Sequence, residues 1–169
     1  DDKIYRVQGT SFAAPLVSGA AAAVWSVFPY FNNDLVRQTL LGTAKDVGAP
    51  GVDAVFGWGV LDVGKAANGP GKFAWGDVAV SFSGNSVWRN DIAGSGGLVK
   101  NGSGTLTLAG MNSYSGDTRV QAGGLYIKGS ADSSKLYVSN GATVWLDGNV
   151  ASVANSGRFF YSAPGTTGA

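Results

Sequence analysis

The stretch Gly9-Thr10-Ser11-Phe12-Ala13-Ala14-Pro15 sets a hydroxyl two residues after a glycine and just ahead of an apolar run, Leu16 to Val27. If that run is helical, Ser11 lies at its start, where backbone N–H groups lack intrahelical partners and the helix carries a partial positive charge. An anion forming beside Ser11 is stabilised there. That suits a serine that attacks a carbonyl and passes through an oxyanion. The competing role for Ser11 or Thr10 is structural, since either hydroxyl can cap the helix. Attack also needs a base, and in a Ser-His-Asp triad an imidazole takes the serine proton and returns it to the leaving group. The chain has no histidine. It is therefore expected to be one piece of a longer parent that supplies the base; a serine–lysine dyad with Lys3 or Lys45 is the weaker alternative.

The elements that must hold Ser11 follow from the pattern around it. Lys3 to Val7 alternates polar and apolar and reads as a short strand or extended lead-in. Val17 to Trp25 has small side chains on nearly every face, the signature of a buried helix, which should end near Pro29. Pro15, within about a turn of the cap, forfeits at most one helical bond. Leu16 to Phe28 is judged too short to span a bilayer, so no membrane contact is expected from this segment. Asn32 or Asn33 then caps an amphipathic helix through Leu35, Val36, Leu40 and Leu41 that stops at Gly42. Thr43 to Val55 reads as loop, Phe56 to Val63 as an extended piece, and Lys65 to Ala67 as a last helical turn ended by Asn68-Gly69-Pro70.

Beyond Gly71 the pattern changes. Short runs alternate with Asn-Gly, Ser-Gly and Gly-Gly turns: Val78 to Phe82, Thr105 to Leu108, Gly124 to Ile127, Leu136 to Val138 and Thr143 to Leu146. Leu98-Val99-Lys100-Asn101-Gly102 and Leu125-Tyr126-Ile127-Lys128-Gly129 look like equivalent pieces about one coil apart. Short strands of this kind bury a core only when stacked as coils. The boundary between the two regions is expected within Asn68 to Lys72, giving segments 1–70 and 71–169.

Two family resemblances rest on these residues. Gly9 to Pro15 resembles the Gly-Thr-Ser-x-Ala-x-Pro nucleophile motif of the subtilisin-like serine proteases, matching every specified position, with Phe12 where secreted members commonly carry methionine. Val36 to Leu41 and Phe56 to Asp62 are similar to the end of that catalytic domain. The resemblance implies that Ser11 is the catalytic serine, that its N–H is one oxyanion donor supported by Thr10, and that the triad His and Asp lie upstream, consistent with the order Asp, His, Ser. Gly97 to Leu108, Asn112 to Thr118 and Gly123-Gly124-Leu125 resemble the autotransporter-associated β-strand repeat, which implies a right-handed parallel β-helix in an exported passenger. The expected fold is thus the C-terminal piece of an α/β subtilisin-like domain followed by an all-β parallel β-helix. The implied activity is serine endopeptidase action on surface or secreted proteins by the intact parent, at the bacterial cell surface or after secretion. The chain alone should be inactive.

Composition sets the remaining bounds. A net charge of +1 with scattered Lys and Arg gives no polyanion face, so nucleic acid is not an expected partner. There is no cysteine, hence no disulfide or thiolate metal site. Asp34, Asp46, Asp53 and Asp62 are too dispersed for a metal cage and fit capping and turn roles; no cofactor or metal is expected. The glycine pairs at Gly57-x-Gly59 and Gly102-x-Gly104 lack the helices that nucleotide-binding loops require. The alternative function is a non-catalytic β-helical surface or adhesion module, with Tyr114 and Trp145 as candidate contacts.

Overall fold

The computed structural model describes residues 8–162 of the 169-residue chain. The lead-in expected over Lys3 to Val7 lies outside the described residues. Three helices come first: α1 (Thr10–Val27), α2 (Asn33–Thr43) and α3 (Val63–Ala66). Asn32 is the cap of α2, its Oδ1 accepting the Leu35 N–H at 2.8 Å, and the helix runs one residue past Gly42. Asp62 caps α3 in the same way, accepting from Lys65 N–H at 2.8 Å. The extended piece expected over Phe56 to Val63 is not a strand. Only the isolated bridges Lys45↔Val60 and Asp53↔Gly57 form there. Asp53 Oδ1 accepts the Val55 and Phe56 N–H groups at 2.7 Å, and Asp46 Oδ2 accepts Gly51 N–H at 2.7 Å. Side-chain carboxylates thus take the backbone donors that a strand would have paired.

From Lys72 the chain winds as a parallel solenoid of about five turns. The strands in chain order are β1 (Lys72–Phe73), β2 (Val78–Ser81), β3 (Asn85–Trp88), β4 (Ala93–Gly94), β5 (Leu98–Asn101), β6 (Thr105–Leu108) and β7 (Met111–Asn112), followed by β8 (Thr118–Val120), β9 (Gly124–Ile127), β10 (Ser130–Val138), β11 (Thr143–Leu146), β12 (Val150–Asn155) and β13 (Arg158–Tyr161). They stack as one sheet ordered β12-β10-β8-β5-β2, a second ordered β13-β11-β9-β6-β3, and a short β1-β4 pair. Leu98 is in register with Val78 on one side and Thr118, 20 residues on, on the other. The equivalence expected between Leu98 and Leu125 is therefore wrong. Leu125 belongs to the other sheet, in register with Leu106, because one coil carries a strand in each sheet and both strands share the same apolar alternation.

Leu98, Leu106, Leu108, Leu125, Ile127, Leu136 and Val144 fill the interior. Polar side chains are buried with them, and those of Lys100, Asn112, Tyr114, Thr118 and Ser134 are paired. Lys100 Nζ donates to the carbonyls of Asn101, Gly102 and Ala122 at 2.7, 3.2 and 3.3 Å, and lies 4.8 Å from the centre of the Phe82 ring. Asn112 accepts from Ile92 N–H and donates to the carbonyls of Gly110 and Ser130, tying neighbouring coils together. The Tyr114 hydroxyl pairs with Thr118 at 2.7 Å, and Thr118 with Ser134 at 2.8 Å. At one corner glycines stack directly. A Cβ on Gly110 would strike the carbonyl of Asn90, one on Gly129 that of Gly110, and one on Gly148 that of Gly129.

The helices and the first coil share one core. Phe28 and Phe31 stack 4.7 Å apart, Phe31 meets Trp88 edge-on at 5.7 Å, and Phe73 bridges Trp88 to Tyr114. Tyr30 lies flat on Phe82 at 4.2 Å; its hydroxyl pairs with Ser86 at 2.6 Å and accepts from Trp88 Nε1 at 3.0 Å. On Gly69, held at φ +102°, a Cβ would stand 2.9 Å from Trp88 Cγ, so only glycine lets the chain pass that ring.

Burial pushes the Tyr114 phenol up to about 12, against its hydrogen bonds to Thr118 and Ser134, which pull it down. The folded state thus holds this proton more tightly than the unfolded chain, whose tyrosines titrate near about 10. The associated stability is complete below that value and is lost as pH rises towards the folded value. In urea unfolding followed against pH, the wild-type chain should lose stability between roughly pH 10 and 12 more steeply than Tyr114→Phe.

Candidate functional site

Ser11 stands in the first turn of α1 and is exposed, as is Thr10. Neither hydroxyl caps the helix, the competing role that the sequence left open. Gly9 is the N-cap, no side chain makes a cap hydrogen bond, and Phe12 N–H reaches back to the Gly9 carbonyl at 3.0 Å. A glycine cap leaves both hydroxyls uncommitted to the helix end. The Ser11 N–H belongs to the first turn, whose donors have no intrahelical acceptor. Thr10 and Ser11 are thus together at the positive end of the helix.

Pro15 lies inside α1 rather than at its edge. In helical geometry residue 15 would donate to the carbonyl of residue 11, so the missing N–H falls on the Ser11 carbonyl. The turn that carries Ser11 is held by fewer main-chain bonds than the turns behind it. Farther along, Ser18 Oγ donates to Ala14 O at 3.2 Å, and Trp25 Nε1 fixes the far end by donating to Phe31 O at 2.6 Å.

Within this chain α1 is not buried all round. Only Ala20 and Val24 are buried, a single stripe that continues to Phe28. Phe12, Leu16 and Val17 on the same helix are 55%, 69% and 46% exposed, which makes this the largest apolar face on any helix described. Among the described residues nothing covers it. The helix begins at Thr10, ahead of the apolar run that starts at Leu16, and so reaches 18 residues, long and apolar enough to cross a bilayer by length and composition alone. An apolar hollow lined by Val17, Leu40, Leu41, Phe56, Trp58 and Leu61 continues the face towards the loop after α2. The pattern of small residues showed that the helix tolerates close neighbours; it could not show which of its faces meet them within this chain.

The two aromatic residues singled out on the solenoid part company. Tyr114 is wholly buried and is a core residue, whereas Trp145 is outward-facing and exposed. Sequence reasoning missed Tyr126, Asp147 and Phe160 beside it, since the parallel register that brings them together spans separate coils.

Comparison with known proteins meets this geometry at both ends. Residues 2–59 match the subtilase family and residues 98–127 match the passenger-associated-transport-repeat family. The chain joins a subtilase segment to an autotransporter passenger solenoid. Relatives include the Neisserial autotransporter lipoprotein NalP of Neisseria meningitidis, 43% identical over 94% of this chain, and an extracellular serine protease of Serratia marcescens, 37% identical over 84%. A thermostable alkaline protease of Halalkalibacterium halodurans is 38% identical over 36% of the chain. The chain spans only 15–17% of the length of these relatives. Within the subtilase segment lie Ser11, Thr10 and Pro15; within the passenger solenoid lie Lys100, Asn112 and Tyr114.

Restoring the missing donor should tighten the first turn of the subtilase segment. Pro15→Ala is expected to stabilise the chain by up to about 3 kcal/mol in urea unfolding. The new residue-15 amide should show slowed hydrogen exchange.

Proposed function

We propose that Ser11 is the nucleophile of a subtilisin-like serine endopeptidase, and that residues 1–70 are the C-terminal part of its catalytic domain and 71–169 the start of its exported passenger. The observation that carries this reading is the glycine cap. Ser11 sits exposed in the first turn of α1 with its hydroxyl free of any capping duty. Its side chain attacks a peptide carbonyl, the oxyanion is met by the Ser11 N–H with Thr10 beside it, and an acyl-enzyme forms that water hydrolyses. A histidine and an aspartate from the upstream part of the parent act as base and as its orienting partner. The substrates are proteins at the surface or outside the cell, in keeping with the names of the Neisseria and Serratia relatives.

The uncovered face of α1 supports the same division of labour. Phe12, Leu16 and Val17 supply the apolar surface against which the upstream part of the domain packs, in preference to lipid, since Thr10, Ser11, Ser18 and Ser26 place hydroxyls at both ends and in the middle of the helix. By itself the chain supplies no imidazole and is inert.

Two measurements test this. In the intact parent a fluorophosphonate probe should label Ser11, and Ser11→Ala should abolish both labelling and proteolysis; absence of labelling in the folded parent overturns the assignment. Separately, Leu16→Lys should change the stability of the 169-residue chain by no more than about 0.5 kcal/mol, as for an exposed site. In the parent the same change should remove activity, because it puts a charge into a packed interface.

A further inference from the structure

On the outward face of the β13-β11-β9-β6-β3 sheet, Thr107, Tyr126, Trp145 and Phe160 lie in register across successive strands. Their neighbours Leu106, Leu125 and Val144 point into the core, so the alternation of the strand directs this row outwards. The Trp145 and Phe160 rings are nearly parallel, 16° apart, with centroids at 6.1 Å. They remain 38% and 53% exposed. A Cβ on Gly124 would stand 3.0 Å from Trp145 Cζ3 and 2.6 Å from Thr105 Oγ1. The missing side chain therefore makes the notch into which the indole leans. The result is a groove of about 400 Å³ lined by Thr105, Tyr126, Trp145, Asp147, Phe160 and Ser162, a volume within the ordinary range for small-ligand sites.

The lining specifies the ligand chemistry. The exposed parts of the two offset, stacked rings offer apolar surface with a negative π face, which suits a ligand whose polarised C–H bonds point at a ring. The rim holds the hydroxyls of Thr105 and Ser162, which donate or accept, and the Asp147 carboxylate, which only accepts. Tyr126 donates to Asp147, and that bond, more than burial or the charge of the carboxylate, raises the phenol above its ordinary value, so it stays a protonated donor that fixes the carboxylate. A pyranose ring has the required form, with C–H groups on its face and hydroxyl donors around its edge. The carboxylate disfavours acidic sugars, and among the described residues no Lys or Arg lines the groove to offset it.

We propose that this groove binds a neutral pyranose oligosaccharide, one sugar packed against the exposed aromatic surface of Trp145 beside Phe160, with its edge hydroxyls bonded to Asp147, Thr105 and Ser162. The site is independent of the protease reading, since it uses none of the residues before Lys72.

Calorimetric titration of the full chain with cellohexaose, maltoheptaose and chitohexaose, and with polygalacturonate as the acidic control, tests it. At least one neutral chain should bind saturably and polygalacturonate should not. Trp145→Ala should weaken that binding at least about tenfold and Asp147→Asn several-fold, while Trp145→Phe retains most of it. Unchanged urea midpoints confirm that the variants fold; should Trp145→Ala fail to fold, Phe160→Ala decides in its place by the same loss. The proposal is overturned if no neutral chain saturates by roughly 10 mM, well beyond weak millimolar affinity, if polygalacturonate binds as well as the neutral chains, or if the ring deletion leaves binding unchanged.

Discussion

The contact on which both halves depend is the closure of the first coil by aromatic rings. A stack of parallel coils buries its interior laterally, but its first coil has no predecessor and its core would open to water at that end. Here Phe31 sits edge-on to Trp88 and Tyr30 lies on Phe82, so the segment between α1 and α2 serves as the missing layer. The polar atoms at this seam are matched as well, with Tyr30 receiving the Trp88 N–H and pairing with Ser86. The same seam anchors α1, whose Trp25 is bonded to the Phe31 carbonyl. A helix bearing an exposed serine at one end is thus tethered at the other to the start of a solenoid.

This joint tempers the division at Asn68 to Lys72. The change from helical to strand pattern is real in the residues and in the elements they form. Packing does not follow it. Phe28, Phe31, Phe73, Trp88 and Tyr114 belong to a single buried cluster that crosses the change. The helical region and the solenoid are different in architecture and continuous in energetics.

What could be read from the residues was local. Asn32 and Asp62 were legible as caps or turn formers, and the alternation of Thr105 to Leu108 or Thr143 to Leu146 gave strands directly, because each depends on neighbours a few residues away. The phase of the coils was not legible. Leu98 and Leu125 carry similar strings, and only the register, which pairs Leu98 with Thr118, shows that they belong to different sheets. At the candidate site the serine and its helix were visible in the motif. The glycine cap was not, since it depends on where the helix actually begins. Tyr114 illustrates the same limit from the other side. An aromatic flagged by its type alone proved to be core, because coil stacking places Thr118 and Ser134 around its hydroxyl.

The corner formed by Gly110, Gly129 and Gly148 has a consequence for how this wall of the solenoid can change. Successive coils meet there main chain to main chain, each glycine against the carbonyl of the coil before it. Such a seam reads no side chain from its neighbours, so the residues between the glycines are free to drift so long as their inward alternation survives. It does read spacing. A residue gained or lost within one coil would bring a Cβ to a place where a carbonyl already stands, unless another corner absorbs the difference, as happens where Thr118 and Leu136 are in register 18 residues apart rather than 20. Along this corner the solenoid is permissive in composition and requires a glycine to return to the seam in each coil, 19 or 20 residues on.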